Sequence, residues 1–576
     1  QHANITRFVF YAGNFIKMIV FGAQAPIVRT PSGSVMGRHI KSYGGRTVSA
    51  FEGIPFAKPP IGDLRFKEPK KAEPWTSILV ANKTYTCMQY TAIVPSKSVL
   101  GTEDCLYLYI YVPREIIFGN ESLNVIINIH GGAFVSGDPQ SSTGPGYIMD
   151  KDLIHVSMNY RLGILGFLST EDEVVPGNNG LKDQVFAMKW VKDNIKYFGG
   201  NPNSITLIGA SSGASCVHYH YLSPLSKGLF HRGMSQSGTV LNHWALTKNP
   251  SNNAKELGKL FKCSLETSNA LVNCLKKVPA ENVTLALGNF FIFANAFPSS
   301  PFGPVIENNG SNAFLNDHPY KLLKEGKIND YPWISSNVRD EGIVPIGFFI
   351  LFGHLPELEV YWNDLLPYVL GYYQSTSETD RLGISYRLKD RYMNTNYITS
   401  GNIYSLIKLF TDRLFLVDGI KAASLQAKVA KSPNYYYFFD YHLDLPVSFK
   451  ANLTVVAHGD DSRILYHETG NPSILSESDE KMKNLFIDLV YDFASSGTLT
   501  VKGVEWTPVS KLEDALDFMH ISGPDKIRMV KDPPLVKTSL GFVLGRYIKS
   551  YEGRTATAFE GIPYAKPPVG NLRFKV

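Results

Sequence analysis

The chain has 576 residues, 44% apolar and 12% aromatic, with 19% charged and a formal net charge of only +6. That is ample material for a large core, and the length suits one large α/β unit better than an ordinary small domain. No basic block marks a nucleic-acid partner, and no apolar run reaches the roughly eighteen residues needed to span a membrane.

Residues 1–26 read as a leading segment. Phe8 to Ala25 is apolar behind Arg7, near the plan of a secretory signal, but Lys17 interrupts it and Pro26 directly follows the cleavage-like Ala23-Gln24-Ala25. The first residue is Gln, which suits a fragment. Five cysteines follow: Cys87 and Cys105 bracket one short loop, Cys263 and Cys274 another, and Cys216 stands alone. Glycosylation sequons occur at Asn4, Asn82, Asn120, Asn282, Asn309 and Asn452. Cysteine usage and sequons together point to the secretory pathway.

One long-range repeat is present. Residues 28–67 and 536–575 align without a gap, 28 of the 40 positions being identical. The repeat occurs once, so the chain is no solenoid. The expected division is a full domain over 27–534 and, over 535–576, a truncated second copy of its opening segment.

Within the domain, Asn124–Ile129 and Leu153–Met158 are short apolar runs of strand type. Leu181 to Tyr197 carries apolar residues at helical spacing, and Phe198-Gly199-Gly200-Asn201-Pro202 stops that helix. Ser204–Ile208 is the next strand. The alternation predicts an α/β fold, a mostly parallel central sheet with helices on both faces and the site at the strands' C-terminal ends.

That last strand runs into Gly209-Ala210-Ser211-Ser212-Gly213 and a run of small residues beginning at Ala214. A strand turning so sharply into a helix strains its central residue, and flanking glycines let the backbones pass. This is the pattern of a nucleophile elbow presenting the Ser211 hydroxyl. His130-Gly131-Gly132-Ala133-Phe134 closes an earlier strand. Its small residues suit an oxyanion hole, in which the N–H groups of Gly132 and Ala133 act together with that of Ser212.

These stretches, with Phe51-Glu52-Gly53-Ile54-Pro55, Glu103-Asp104-Cys105-Leu106 and Gly303-Pro304-Val305, resemble the type-B carboxylesterases, a family of α/β-hydrolases that includes insect esterases and cholinesterases. The resemblance implies an α/β-hydrolase fold and a serine esterase without metal or organic cofactor, acting on small-molecule esters. It names Glu341, in Asp340-Glu341-Gly342, as the residue that orients the histidine, and His458, in Ala457-His458-Gly459, as the base. It also implies the disulfides Cys87–Cys105 and Cys263–Cys274 and places Trp244 in the acyl pocket. Neither His458 nor Glu341 is singled out by composition.

Four departures stand out. Ala210 replaces the family's usual glutamate beside the serine, Ser212 its alanine, and Val455 a glycine before the histidine. The 87–105 loop also has no tryptophan to hold a quaternary ammonium, which argues against choline esters. The leading expectation is hydrolysis of esters with a sizeable apolar part. Two alternatives are a juvenile hormone esterase and a non-catalytic adhesion or ligand-binding module on the same scaffold. Oligomeric state is not legible.

Overall fold

In the computed structural model, residues 25–531 are described apart from 92–97, 143, 309, 311, 395, 445–449, 467–474 and 512–515. Six short flanking strands, two before residue 25 and four after 531, are described by backbone alone. The signal-like segment's side chains and the sequons at Asn4 and Asn309 lie outside the described residues.

The central sheet has eleven strands. In chain order these are Arg38–Lys41 (β1), Thr47–Pro55 (β2), Tyr107–Val112 (β3), Leu123–Ile129 (β4), Leu153–Met158 (β5), Gly200–Ala210 (β6), Arg232–Gln236 (β7), Trp333–Val338 (β8), Asn434–Phe439 (β9), Phe518–Gly523 (β10) and Lys526–Val530 (β11). They lie in the order β11-β10-β9-β8-β7-β6-β4-β5-β3-β2-β1. Strands β4 to β10 pair in parallel, and antiparallel strands close both edges. Helices cover the two faces of the parallel part, so its strands are apolar on both sides. Along β4, Val125, Ile127 and Ile129 pack into one core layer and Ile126 into the other.

The expected helix after β5 spans Asn179–Asn194 (α1). It ends before Tyr197 in a tighter turn, Ile195–Phe198, capped by Gly199 at φ 81°. The elbow strand is longer than its apolar run suggests, because Gly200 pairs with Leu123 at the start of β4. Pairing across the gap, not hydrophobicity, sets its lower end. The following helix, Ser212–Leu222 (α2), begins two residues before Ala214.

Beyond residue 531 the backbone repeats the chain's opening pairings. Ile27 faces Met36 and Arg38 faces Ala50 in the domain. Leu535 faces Leu544 and Arg546 faces Ala558 in the tail. Each tail pair is its domain counterpart moved 508 positions along, so sequence and register repeat together.

Candidate active site

Ser211 sits where β6 turns into α2, with φ 59° and ψ −128°. Such a conformation is costly for a residue with a Cβ and is held only by its surroundings. Its N–H donates to the Gln236 carbonyl at 2.8 Å, and its own carbonyl accepts the Ser215 N–H at 3.1 Å. A Cβ on Gly213 would stand 2.1 Å from the Ile129 carbonyl oxygen, and one on Gly209 would stand 2.5 Å from the Gly213 backbone. Both glycines are therefore required by close approach. The hydroxyl of Ser211 makes no hydrogen bond to any described residue.

Glu341 follows β8 and is fully buried. Its Oε2 lies 2.5 Å from His458 Nδ1, and its Oε1 accepts from Asn337 Nδ2 at 2.9 Å and the Val338 N–H at 3.0 Å. Both carboxylate oxygens are thus committed, which fixes the side chain. Asp340 joins the two loops: its N–H donates to the Val456 carbonyl at 3.0 Å, and its Oδ2 accepts the Val456 N–H at 2.8 Å. Val455 is buried and its carbonyl lies 2.8 Å from His442 Nδ1, so the departure there leaves the loop anchored.

The loop after β4 carries Gly132, Ala133 and Phe134 at φ 112°, 54° and 61°. A Cβ on Gly131 would be 3.1 Å from that of Ser211, so this loop borders the serine directly. Among the described residues, the N–H groups of Gly132, Ala133 and Ser212 donate to no protein acceptor. The loop is held from several sides: Ser300 Oγ donates to the Ala133 carbonyl at 3.0 Å, and the Gly163 N–H to the Phe134 carbonyl at 2.8 Å. Ser212 Oγ accepts the Phe134 N–H at 3.3 Å. An alanine at 212 would leave that buried donor unmet, so this departure from the family pattern is coupled to the loop.

Trp244 is nearly buried, with Phe134 at 6.4 Å and Phe415 at 5.8 Å between ring centroids. Cys87 is joined to Cys105 and Cys263 to Cys274. Cys216 is free and buried; desolvation pushes its thiol up to about 12, so it stays protonated and inert.

Sequence reasoning missed Asp461. It is fully buried behind the Glu341–His458 pair, its Oδ2 accepting from Ser336 Oγ at 2.9 Å and Tyr437 OH at 2.7 Å. Burial pushes its carboxyl up to about 6, against the Tyr437 bond and with further lift from the Glu341 charge. A carboxyl raised in the folded state adds stability below its unfolded pKa and loses it as pH rises through about 6. Two units correspond to about 3 kcal/mol. The loss begins near the unfolded pKa of about 4, so about half of it falls between about pH 5 and pH 8, where the thermal midpoint of the wild type is expected to fall about 1 °C relative to Asp461→Asn. Parallel melting curves would contradict this.

The sheet order and the serine-bearing turn at its centre are those of an α/β hydrolase. A model of the carboxylesterase family matches residues 24–530 and again 532–576. Venom carboxylesterase-6 of Apis mellifera is 38% identical over 531 residues, 89% of this chain and 93% of that protein. Esterase FE4 of Myzus persicae is 36% identical over 85% of this chain and 88% of its own length. The crystal structure of juvenile hormone esterase from Manduca sexta, with OTFP covalently attached, superposes with a TM-score of 0.78 at 28% identity. It covers 88% of this chain and 97% of its own. The chain belongs to the carboxylesterase family, and its activity is hydrolysis of carboxylic esters. No helix of the described residues is long and apolar enough to cross a membrane.

Proposed function

We propose that Ser211, His458 and Glu341 form the catalytic triad of this esterase. The observation that carries the reading is the 2.5 Å pairing of His458 Nδ1 with buried Glu341, in a domain whose elbow strains Ser211 open. Glu341 keeps the proton on Nδ1, leaving Nε2 free to accept one. Ser211 Oγ attacks the ester carbonyl carbon as its proton passes to Nε2. The N–H groups of Gly132, Ala133 and Ser212 receive the oxyanion, a contribution of about 2.7–4 kcal/mol for each effective donor. The alcohol leaves with the proton from Nε2, and water releases the acid from the acyl-enzyme by the same route. Trp244 walls the side that receives the acyl group.

The unit that does this is the domain over 27–534; the repeated segment 535–576 is outside it, as the second family match at 532–576 supports. Exposure of Asn82, Asn120, Asn282 and Asn452, together with two disulfides, supports a glycosylated protein of the secretory pathway.

The test is stoichiometric labelling by a dialkyl fluorophosphate, since an activated serine beside an oxyanion hole attacks phosphorus as it does carbonyl carbon. Peptide mapping is expected to place the adduct on Ser211, with the same stoichiometry in a chain ending at Pro534. Folded protein left unlabelled at Ser211 would favour the non-catalytic binding module.

A further inference from the structure

The loop after β4 stands in a conformation that must be held. Gly132, Ala133 and Phe134 lie in succession at φ 112°, 54° and 61°, and two of the three carry a Cβ. Such a run is costly and persists only where its neighbours over-determine it. The His130–Gly131 peptide is held through its carbonyl, which accepts the Tyr160 hydroxyl at 3.0 Å. Burial raises the Tyr160 phenol well above its ordinary range, so it keeps its proton and stays a donor. The carbonyl of the Gly132–Ala133 peptide accepts the Val135 and Ser136 N–H groups at 3.0 and 2.9 Å. A trans peptide sets its N–H opposite its C=O, so the Ala133 N–H points out of that turn.

The Ala133–Phe134 peptide is gripped on both sides. Ser300 Oγ donates to its carbonyl at 3.0 Å, and Ser212 Oγ accepts its N–H at 3.3 Å. Both serines are buried, Ser212 completely. Holding both polar atoms of a planar unit stops it turning, and the Ala133 N–H at its near end keeps its direction. Ser212 acts from a different element, because it is the first residue of α2. One residue thus ties the loop to the helix whose N-terminus adjoins Ser211.

We propose that Ser212 is a positioning residue for ester hydrolysis: its hydroxyl, through the Phe134 N–H, keeps the Ala133 donor aligned with the donor that Ser212 itself supplies from α2. This rests on the triad and oxyanion-hole reading above. The hydroxyl touches no reacting atom and acts only through the loop. Without it the Phe134 N–H is buried with no acceptor, and the strained run is free to relax by turning the 133–134 plane. Losing a whole oxyanion donor costs about 10²–10³ in kcat, so misaiming one is expected to cost about ten- to hundredfold.

The experiment compares wild type, Ser212→Ala, Ser212→Cys and Ser300→Ala in the full chain, with active sites counted by the fluorophosphate label. It reads kcat/KM for p-nitrophenyl acetate and Ki for octyl trifluoromethyl ketone. Ser211 Oγ adds to the ketone carbon, its proton passes to His458 Nε2, and the former carbonyl oxygen carries the negative charge into the hole with no leaving group. Ser212→Ala is expected to lower kcat/KM about ten- to hundredfold per labelled site and to raise Ki by a similar factor. Ser212→Cys, a weaker acceptor of nearly the same volume, should fall between it and wild type. Ser300→Ala, which frees the other side of the same peptide, should shift both readings in the same direction. These two variants keep the trend readable if Ser212→Ala does not fold. Readings within about twofold of wild type across the series overturn the assignment. So does turnover that falls with Ki unchanged, or a lower melting midpoint alone, as a merely structural hydroxyl would give. Wild-type acetate turnover that is lost in Ser211→Ala is the control on the triad. With it satisfied, such results count against Ser212 alone; wild type inert toward the ester overturns the triad and this assignment with it.

Discussion

Ser211→Ala is expected to lower kcat for a simple aryl ester by about 10⁵- to 10⁶-fold, some 7–8 kcal/mol of transition-state stabilisation. In the proposed mechanism the hydroxyl is the atom that forms the acyl-enzyme, and no other described residue is placed to replace it at the end of β6. His458→Ala is expected to lose a comparable factor, because without the imidazole Ser211 must attack while keeping its proton. The double variant should lose little more than either single one, since residues that act as a unit do not add. Thermal midpoints should barely change for the serine variant, whose hydroxyl makes no hydrogen bond to a described residue. Stopped-assay rates on purified variants, with melting curves as the folding control, decide the matter. A serine variant retaining a tenth of wild-type turnover would remove Ser211 from the mechanism.

What the sequence made legible was local. The strand–turn–helix around Ser211 and the glycine-rich loop after β4 are consequences of backbones passing at contact distance, and close passage writes itself into sequence as glycine. Gly209, Gly213 and Gly131 carry that signal. His458 and Glu341 became visible only through the family's motifs, because their pairing is made across 117 positions of chain. The doublet Asp460-Asp461 shows where local reading stops. Asp460 braces its own loop, with Oδ2 accepting the Ala457 N–H at 2.8 Å and Lys450 Nζ at 3.2 Å. Asp461, one residue on, points toward Ser336 and Tyr437 behind the Glu341–His458 pair. Nothing in the pair of letters separates those roles. The seat of Trp244 was illegible for a related reason: its indole N–H and the Asn242 amide donate to the Leu414 carbonyl, some 170 residues further on.

The largest structural effect is expected at Arg161. The segment after β5 supports the glycine-rich loop directly, Tyr160 OH donating to the His130 carbonyl at 3.0 Å and the Gly163 N–H to the Phe134 carbonyl. Between those two contacts, Arg161 reaches across to Asp183 of α1. Its Nε and Nη2 donate to the two carboxylate oxygens at 2.8 and 2.7 Å, its backbone N–H adds a third bond at 3.1 Å, and its Nη1 donates to the Lys67 carbonyl at 2.8 Å. Both partners are buried. Burial pushes the Asp183 carboxyl up, and the Arg161 guanidinium opposes that shift. Arg161→Met removes the opposition and strands the carboxyl in the core, at a cost of about 3–5 kcal/mol. For a domain of about 500 residues that is a midpoint about 3–5 °C lower. The deficit should deepen from about pH 5 to pH 8, because neutralising the stranded carboxyl by protonation becomes harder as protons grow scarce. Arg161→Met combined with Asp183→Leu should recover much of the loss, since an apolar pair of similar volume carries no stranded charge. Turnover should fall in the single variant even where it remains folded, as the loop bearing Gly132 and Ala133 loses its footing. A single variant that melts like wild type at about pH 8 would show that this pair does not stabilise α1 against β5, and unchanged turnover that it does not support the loop bearing Gly132 and Ala133.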